Sequence, residues 1–193
     1  MFGAHSLKQE FFKTAKDRFS ENKAMELFFK ECNKSRIIPM PLFSKIKETN
    51  ILSVSGQFIS EGMASALGLL LSDEQIRTQI NITEVNLDDN GLKDHSFAAI
   101  LEALEFHMGI KKFNYSNNEL GEKSLPLITK IIKRPRENHI EELRINGIKS
   151  LPLVQRDLLK AIKNAPAIKK LRLSNLKNIN DRSFNKIIGI VKN

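Results

Sequence analysis

Four histidines and one cysteine are the residues of this 193-residue chain best suited to metal or nucleophilic chemistry, and their spacing supports neither. His5, His95, His107 and His139 fall in different segments, with no pair at a separation that brings two imidazoles to one metal. His107 and His139 sit at loop-like ends, where solvated histidines are expected. Cys32 stands alone, which excludes an internal disulfide and a multi-thiolate site. It lies on an apolar helical face without an activating base nearby and reads as a small buried hydrophobe. Gly91, Gly109, Gly121 and Gly147 fall at turns and compose no phosphate-binding loop. Asp88 and Asp89 suit a strand-end loop at least as well as a calcium site. The expectation is a protein with no catalytic set, no cofactor and no metal.

Recognition chemistry remains. The formal net charge is +9, unevenly spread: residues 1–97 carry 12 basic and 13 acidic groups, and residues 98–193 carry 19 and 9. A basic half attracts acidic partners such as nucleic acid, anionic membrane or acidic protein tails. The absence of Trp, a single Tyr and the lack of a recognition motif count against nucleic acid. Apolar residues at 41% and charged residues at 27% exclude wholesale disorder and suit one good-sized domain. No apolar stretch is long enough to span a bilayer, and no secretory signal follows Met1. Membrane insertion and secretion are not expected, and a reducing, cytoplasmic setting is.

The elements that position these residues come from an internal repeat. ITEVNLDDNGL from Ile82, IKKFNYSNNEL from Ile110, IEELRINGIKSL from Ile140 and IKKLRLSNLKNI from Ile168 begin at spacings of 28, 30 and 28 residues. Apolar residues recur at the first, fourth and sixth positions: Ile82/Val85/Leu87, Ile110/Phe113/Tyr115, Ile140/Leu143/Ile145 and Ile168/Leu171/Leu173. The last two of each triplet have strand periodicity. Asn90 and Asn118 occupy the ninth position, where Ile148 and Leu176 stand in the later units. Those later units read as carrying one extra residue before their next apolar positions, Leu151 and Ile179. Helical spacing follows in Ser96–Phe106, Leu125–Ile132, Val154–Ile162 and Ser183–Val191. A degenerate unit precedes these, with Leu52, Val54 and Ile59 followed by the apolar run Met63–Leu71.

This pattern resembles leucine-rich repeats of the long, ribonuclease-inhibitor-like subclass, over about three quarters of the chain. A strand and a helix this short cannot bury their apolar faces alone, so the units must stack. The expected fold is an α/β leucine-rich-repeat solenoid: a parallel concave sheet, convex helices and about five units over 49–193. Asparagines at the ninth position are expected to hydrogen-bond the turn backbones of neighbouring units. Their loss predicts a looser C-terminal half or satisfaction by other groups.

Residues 1–48 form the expected helical cap over the first strand, which would otherwise be an open edge. Leu7, Phe11, Phe12, Ala15 and Phe19 share one helical face, and Met25, Phe28, Phe29 and Cys32 a second, with Ser20 placed as an N-cap. Ile37–Pro41 breaks the helices and leads into a short apolar turn, Leu42–Ile46. The chain stops at Asn193, so the strand at Ile168–Leu173 is expected to be the last. Its outer edge would be blunted by its own Lys and Asn residues, covered by a partner, or continued in a longer solenoid.

In this register the exposed second and third strand positions are Thr83/Glu84, Lys111/Lys112, Glu141/Glu142 and Lys169/Lys170, alternating in sign as a cross-strand ladder. The fifth positions are Asn86, Asn114, Arg144 and Arg172, which places two arginines side by side. Asn114, Asn117, Arg144, Arg172, Lys169 and Lys170 are therefore the candidate partner-binding residues. A second basic cluster, Lys130, Lys133, Arg134 and Arg136 beside Pro135, reads as cations complementing a helix C-terminus rather than a nuclear-localisation or nucleic-acid patch.

The resemblance implies a non-enzymatic protein-binding or scaffold module within a multi-subunit complex. The N-terminal helices with a short array resemble leucine-rich-repeat subunits of ciliary axonemes, such as those of the nexin–dynein regulatory complex. An acidic partner, for example a tubulin tail, would suit the basic half. Ran GTPase-activating proteins resemble the same subclass but carry more units and a long acidic tail. Tropomodulins carry a comparably short array, and their separate actin-binding helical extension is not recognisable here.

Overall fold

The computed structural model describes residues 23–40, 42–135, 140–165 and 168–175. The helical face expected at 7–19, the N-cap at Ser20, His5, His139, Arg136, Leu176, Ile179 and the helix expected at 183–191 lie outside these residues.

Three-residue strands alternate with helices along the chain. Strand β1 (Ile51–Ser53) is followed by β2 (Glu84–Asn86), β3 (Lys112–Asn114), β4 (Glu142–Arg144) and β5 (Lys170–Arg172). They form one parallel sheet in sequence order. Leu52, Val85, Phe113, Leu143 and Leu171 align across it, which is the register the repeat spacing predicts. Behind these residues lie helices α3 (Glu61–Ser72), α5 (Asp94–Leu104), α6 (Ser124–Ile132) and α7 (Pro152–Lys163). The helices pack on one another in order. Helices α3 and α5 meet so closely that a Cβ at Gly68 would lie 2.8 Å from the Ala99 carbonyl oxygen. The core runs unbroken from Ala24 to Ile162.

The first unit is the longest, with Leu52 paired to Val85 across 33 positions. A short helix, α4 (Glu74–Gln79), takes up the excess. Asp73 ends α3 and caps α4, its carboxylate accepting the Ile76 N–H at 3.2 Å. Ahead of the array, α1 (Lys23–Lys34) packs on α3, and α2 (Leu42–Thr49) packs on β1. The segment expected as a short apolar turn is thus helical. Leu42, Phe43 and Ile46 share one face and are buried, and burial of that face favours a helix.

The buried turns between strand and helix hold the stack together. Asn118 Oδ1 accepts the Leu92 N–H at 3.0 Å, and Nδ2 donates to the carbonyls of Leu87 at 2.8 Å and Ser116 at 2.9 Å. Asn90 repeats this against the first unit, accepting from Gln57 at 3.2 Å and Ile59 at 3.4 Å and donating to Leu87 at 2.9 Å. A second device recurs one residue earlier. Gly56, Asp89, Asn117, Gly147 and Asn175, equivalent in register, all have positive φ between 53° and 65°. Gly, Asn and Asp are the residue types that enter this region at least cost. The N–H groups of Gly56, Asp89, Asn117 and Gly147 each donate to a carbonyl of the following unit, at 2.8–3.2 Å.

The fourth unit differs from its expected form. Glu119 and Lys149, both at the tenth position, pair in a parallel bridge, so no residue is inserted up to that point. Ile148 is buried in place of the asparagine, and Leu151 is 64% exposed at the N-cap of α7 instead of filling the core. Other groups satisfy the turn: Ser116 Oγ accepts the Asn146 N–H at 3.1 Å, and the Asn118 carbonyl accepts the Lys149 N–H at 2.9 Å.

Asp94 links units at the helix level. Its Oδ1 accepts the N–H groups of Gly121 and Ser124 at 3.0 Å and the Ser124 hydroxyl, and Oδ2 accepts the Lys123 N–H at 3.0 Å. It caps α6, whose own N-cap residue Lys123 makes no side-chain cap bond. Partial burial pushes this carboxyl up, but the Ser124 hydroxyl and the three N–H donors outweigh it, and its pKa lies below the ordinary aspartate value.

Two predictions follow from these contacts. Asn118→Ala strips partners from buried groups of two units and should cost about 3 kcal/mol in urea unfolding, whereas Asn175→Ala, at an exposed position, should cost about 1 kcal/mol. The depressed Asp94 pKa stabilises the fold above the unfolded value near ~4, and that stabilisation is lost as pH falls through the folded value. Asp94→Asn should therefore lower the melting temperature at neutral pH, with the difference from the parent shrinking in acid.

Candidate functional site

Side chains on the sheet face opposite the core form two rows. The inner row runs Glu84, Lys112, Glu142, Lys170 and the outer row Asn86, Asn114, Arg144, Arg172. Glu84, Asn86, Lys112, Asn114, Glu142 and Arg144 border a shallow open depression floored by Val85 and Phe113.

Most polar groups in these rows are committed to one another. Lys112 Nζ lies 3.1 Å from Glu84, and Lys169 Nζ lies 3.0 Å from Glu141 in the next row. Arg144 Nε donates to Glu142 Oε1 at 2.7 Å. Glu142 is almost fully screened from solvent. The Arg144 hydrogen bond above all, with the charges of Arg144, Lys170 and Arg172, holds its carboxyl below the ordinary glutamate value against the opposing effect of burial. Asn114 Nδ2 donates to Asn86 Oδ1 at 3.0 Å, while its Oδ1 accepts from the Ser116 N–H at 3.2 Å and hydroxyl at 2.8 Å. That geometry turns the chain out of the strand.

The structure brings Asn114, Arg144 and Arg172 into one row, with Lys170 and Lys169 beside them. Asn117 does not join them. It occupies the left-handed turn past the strand end and donates to Asp88 Oδ1 at 3.0 Å. Arg172 and Lys170 are exposed, and among the described residues neither forms an ion pair.

Other residues with chemical promise serve the fold. His107, expected in solvent, is buried, and its Nε2–H donates to the Leu71 carbonyl at 2.9 Å. Burial above all, with the charges of Arg77 and Arg134, holds this imidazole below the ordinary histidine pKa against the pull of that carbonyl. Arg134 is also buried and donates to the carbonyls of His107, Leu104 and Glu105 at 2.8–2.9 Å. It thus caps α5, the preceding helix, and not the helix it follows in sequence. Lys130 pairs with Glu105 at 3.1 Å and His95 with Glu61 at 2.9 Å. The Cys32 thiol is buried, and burial, with the charge of Glu31, pushes it up to about 12, far from the thiolate a nucleophile needs. Among the described residues no group of three His, Cys, Asp or Glu side chains could hold a metal ion, and no helix is long and apolar enough to cross a membrane.

The repeat, the single parallel sheet and the helices behind it define an α/β leucine-rich-repeat solenoid. No family model matches the chain, and no curated protein matches it. Among solved structures, 11 chains match. One is titled Leiomodin-1 Actin-Binding Site 2 (ABS2), at 14% identity and a TM-score of 0.58, covering 80% of this chain and 90% of that one. At this identity the likeness is one of fold.

The role of Arg134 separates a structural cation from a surface patch. Arg134→Ala should cost about 3 kcal/mol in equilibrium unfolding, because two buried carbonyls and one part-buried carbonyl lose a charged donor, while Lys133→Ala should change stability by less than about 0.5 kcal/mol.

Proposed function

We propose that this chain is a non-enzymatic protein-binding module and a subunit of a cytoskeletal assembly, with actin as its partner. The observation that carries the reading is the shared fold with a structure titled as an actin-binding site, over most of both chains. The open sheet face adds support, because it presents polar side chains from successive units in fixed register. The non-enzymatic part rests on where the reactive groups are spent: His107 and Cys32 are buried in structural roles.

A ciliary axoneme is the second setting. The resemblance to axonemal leucine-rich-repeat subunits supports it, as does the cationic end of the sheet face, which would suit acidic tubulin tails. Either setting places the protein in the cytoplasm or the cilium. Regulation of a small GTPase draws on the repeat subclass alone.

Co-sedimentation of the purified chain with filamentous actin, and with microtubules in parallel, tests the assignment. The expected result is saturable binding to actin that weakens as salt rises. Binding to microtubules alone would move the axonemal reading to first place. Binding to neither filament, with purification of the tagged protein recovering a nucleotide-bound GTPase, would overturn the cytoskeletal reading.

A further inference from the structure

The sheet face is not uniformly charged, and the imbalance sits at one end. In the inner row, glutamate and lysine alternate from β2 to β5. Opposite charges directly across a sheet attract, and like charges repel. The outer row does not alternate: it runs from neutral Asn86 and Asn114 to Arg144 on β4, paired in register with Arg172 on β5. Neighbouring strands are about 5 Å apart, so the two guanidinium stems start at that separation.

Glu142 does not cancel this corner. One carboxylate faces Arg144, Lys170 and Arg172, and it already accepts the Arg144 Nε–H. Three cations therefore converge on a single anion. Arg172 and Lys170 are exposed, without an ion pair among the described residues.

We propose that Arg144, Lys170 and Arg172 form a docking corner for an acidic segment of a partner protein, whose carboxylates complete the network that Glu142 leaves unbalanced. Charge complementarity identifies the occupant. Guanidinium groups pair carboxylates in a bidentate fork, and two arginines on adjacent strands suit carboxylates on successive or alternate residues of an extended chain. The N-terminal part of the same face, where Glu84 holds Lys112 and Asn86 holds Asn114, contributes shape and little charge. The inference rests on the protein-binding reading but is independent of actin as the partner.

The test uses the full chain and a fluorescein-labelled peptide of alternating Glu and Ser, read by fluorescence anisotropy at low and physiological ionic strength. Arg172→Glu should weaken binding roughly tenfold, and Lys170→Gln by a smaller factor. Lys163→Glu, which makes the same charge change at the exposed end of α7, should weaken it less than about twofold. Arg172→Lys should retain part of the affinity, because charge survives and the fork does not. Matching melting curves would establish that the variants are folded. Equal losses for Arg172→Glu and Lys163→Glu, no peptide binding at low salt, or tighter binding of a single-stranded oligonucleotide of equal charge would each overturn the proposal. Peptide binding without actin binding would remove actin and leave this corner standing. Actin binding and peptide binding both indifferent to Arg172→Glu would remove the corner and leave actin standing.

Discussion

The buried turn between strand and helix is the constraint on which the rest depends. Each repeat is too small to bury its apolar face alone, so units stack, and stacking carries the turn backbones out of reach of water. Every N–H and C=O there then needs a partner. Asn90 and Asn118 supply partners to their own turn and to the preceding unit at once. The left-handed residue just before them lets its N–H reach the next unit's carbonyl. These bonds fix how far one unit can slide or rotate against the next.

That fixed stacking gives the exposed sheet face its meaning. Side chains on short parallel strands would form no surface pattern if the register could slip. Because the turns hold it, the third and fifth positions of successive units become rows, and a difference in charge between units becomes a gradient along the sheet. The neutral Asn86–Asn114 pair on β2 and β3 and the Arg144–Arg172 pair on β4 and β5 are the same position read in different units. A partner reaching across the face would meet amides and a matched ion pair first, and then a cationic corner.

The remaining polar groups show how a solenoid spends its chemistry internally. Asp94 caps a helix in the following unit, and Arg134 caps one in the preceding unit. Both join units across the helical layer, as the asparagines do across the turns. Arg134 holds the His107 carbonyl, and its charge adds to the burial that lowers the pKa of that imidazole. Long-range charge–backbone bonds of this kind supplement apolar packing where helix ends would otherwise leave carbonyls bare.

The repeat spacing, the apolar triplets and the ninth-position asparagines by themselves determined the solenoid, its strand register and the rows of side chains on the open face. Each is a local pattern recurring at fixed intervals, and stacking identical units turns sequence spacing into spatial order. The recurrent Gly, Asp or Asn at the eighth position, a signal that the sequence reading did not use, became a left-handed turn only in the structure. Tertiary structure alone decided what depends on contacts between units. It placed Ile148 in the core and Leu151 in solvent, because the neighbouring turn could satisfy the backbone without an asparagine. It buried His107 and sent Arg134 back to the preceding helix, against an expectation that used only the helix each follows. It committed Asn114 and Asn117 to turns and left Lys170 and Arg172 exposed. A side chain's type sets the bonds it can make, but the competition among nearby partners decides which it does make, and that is known only once the units are packed.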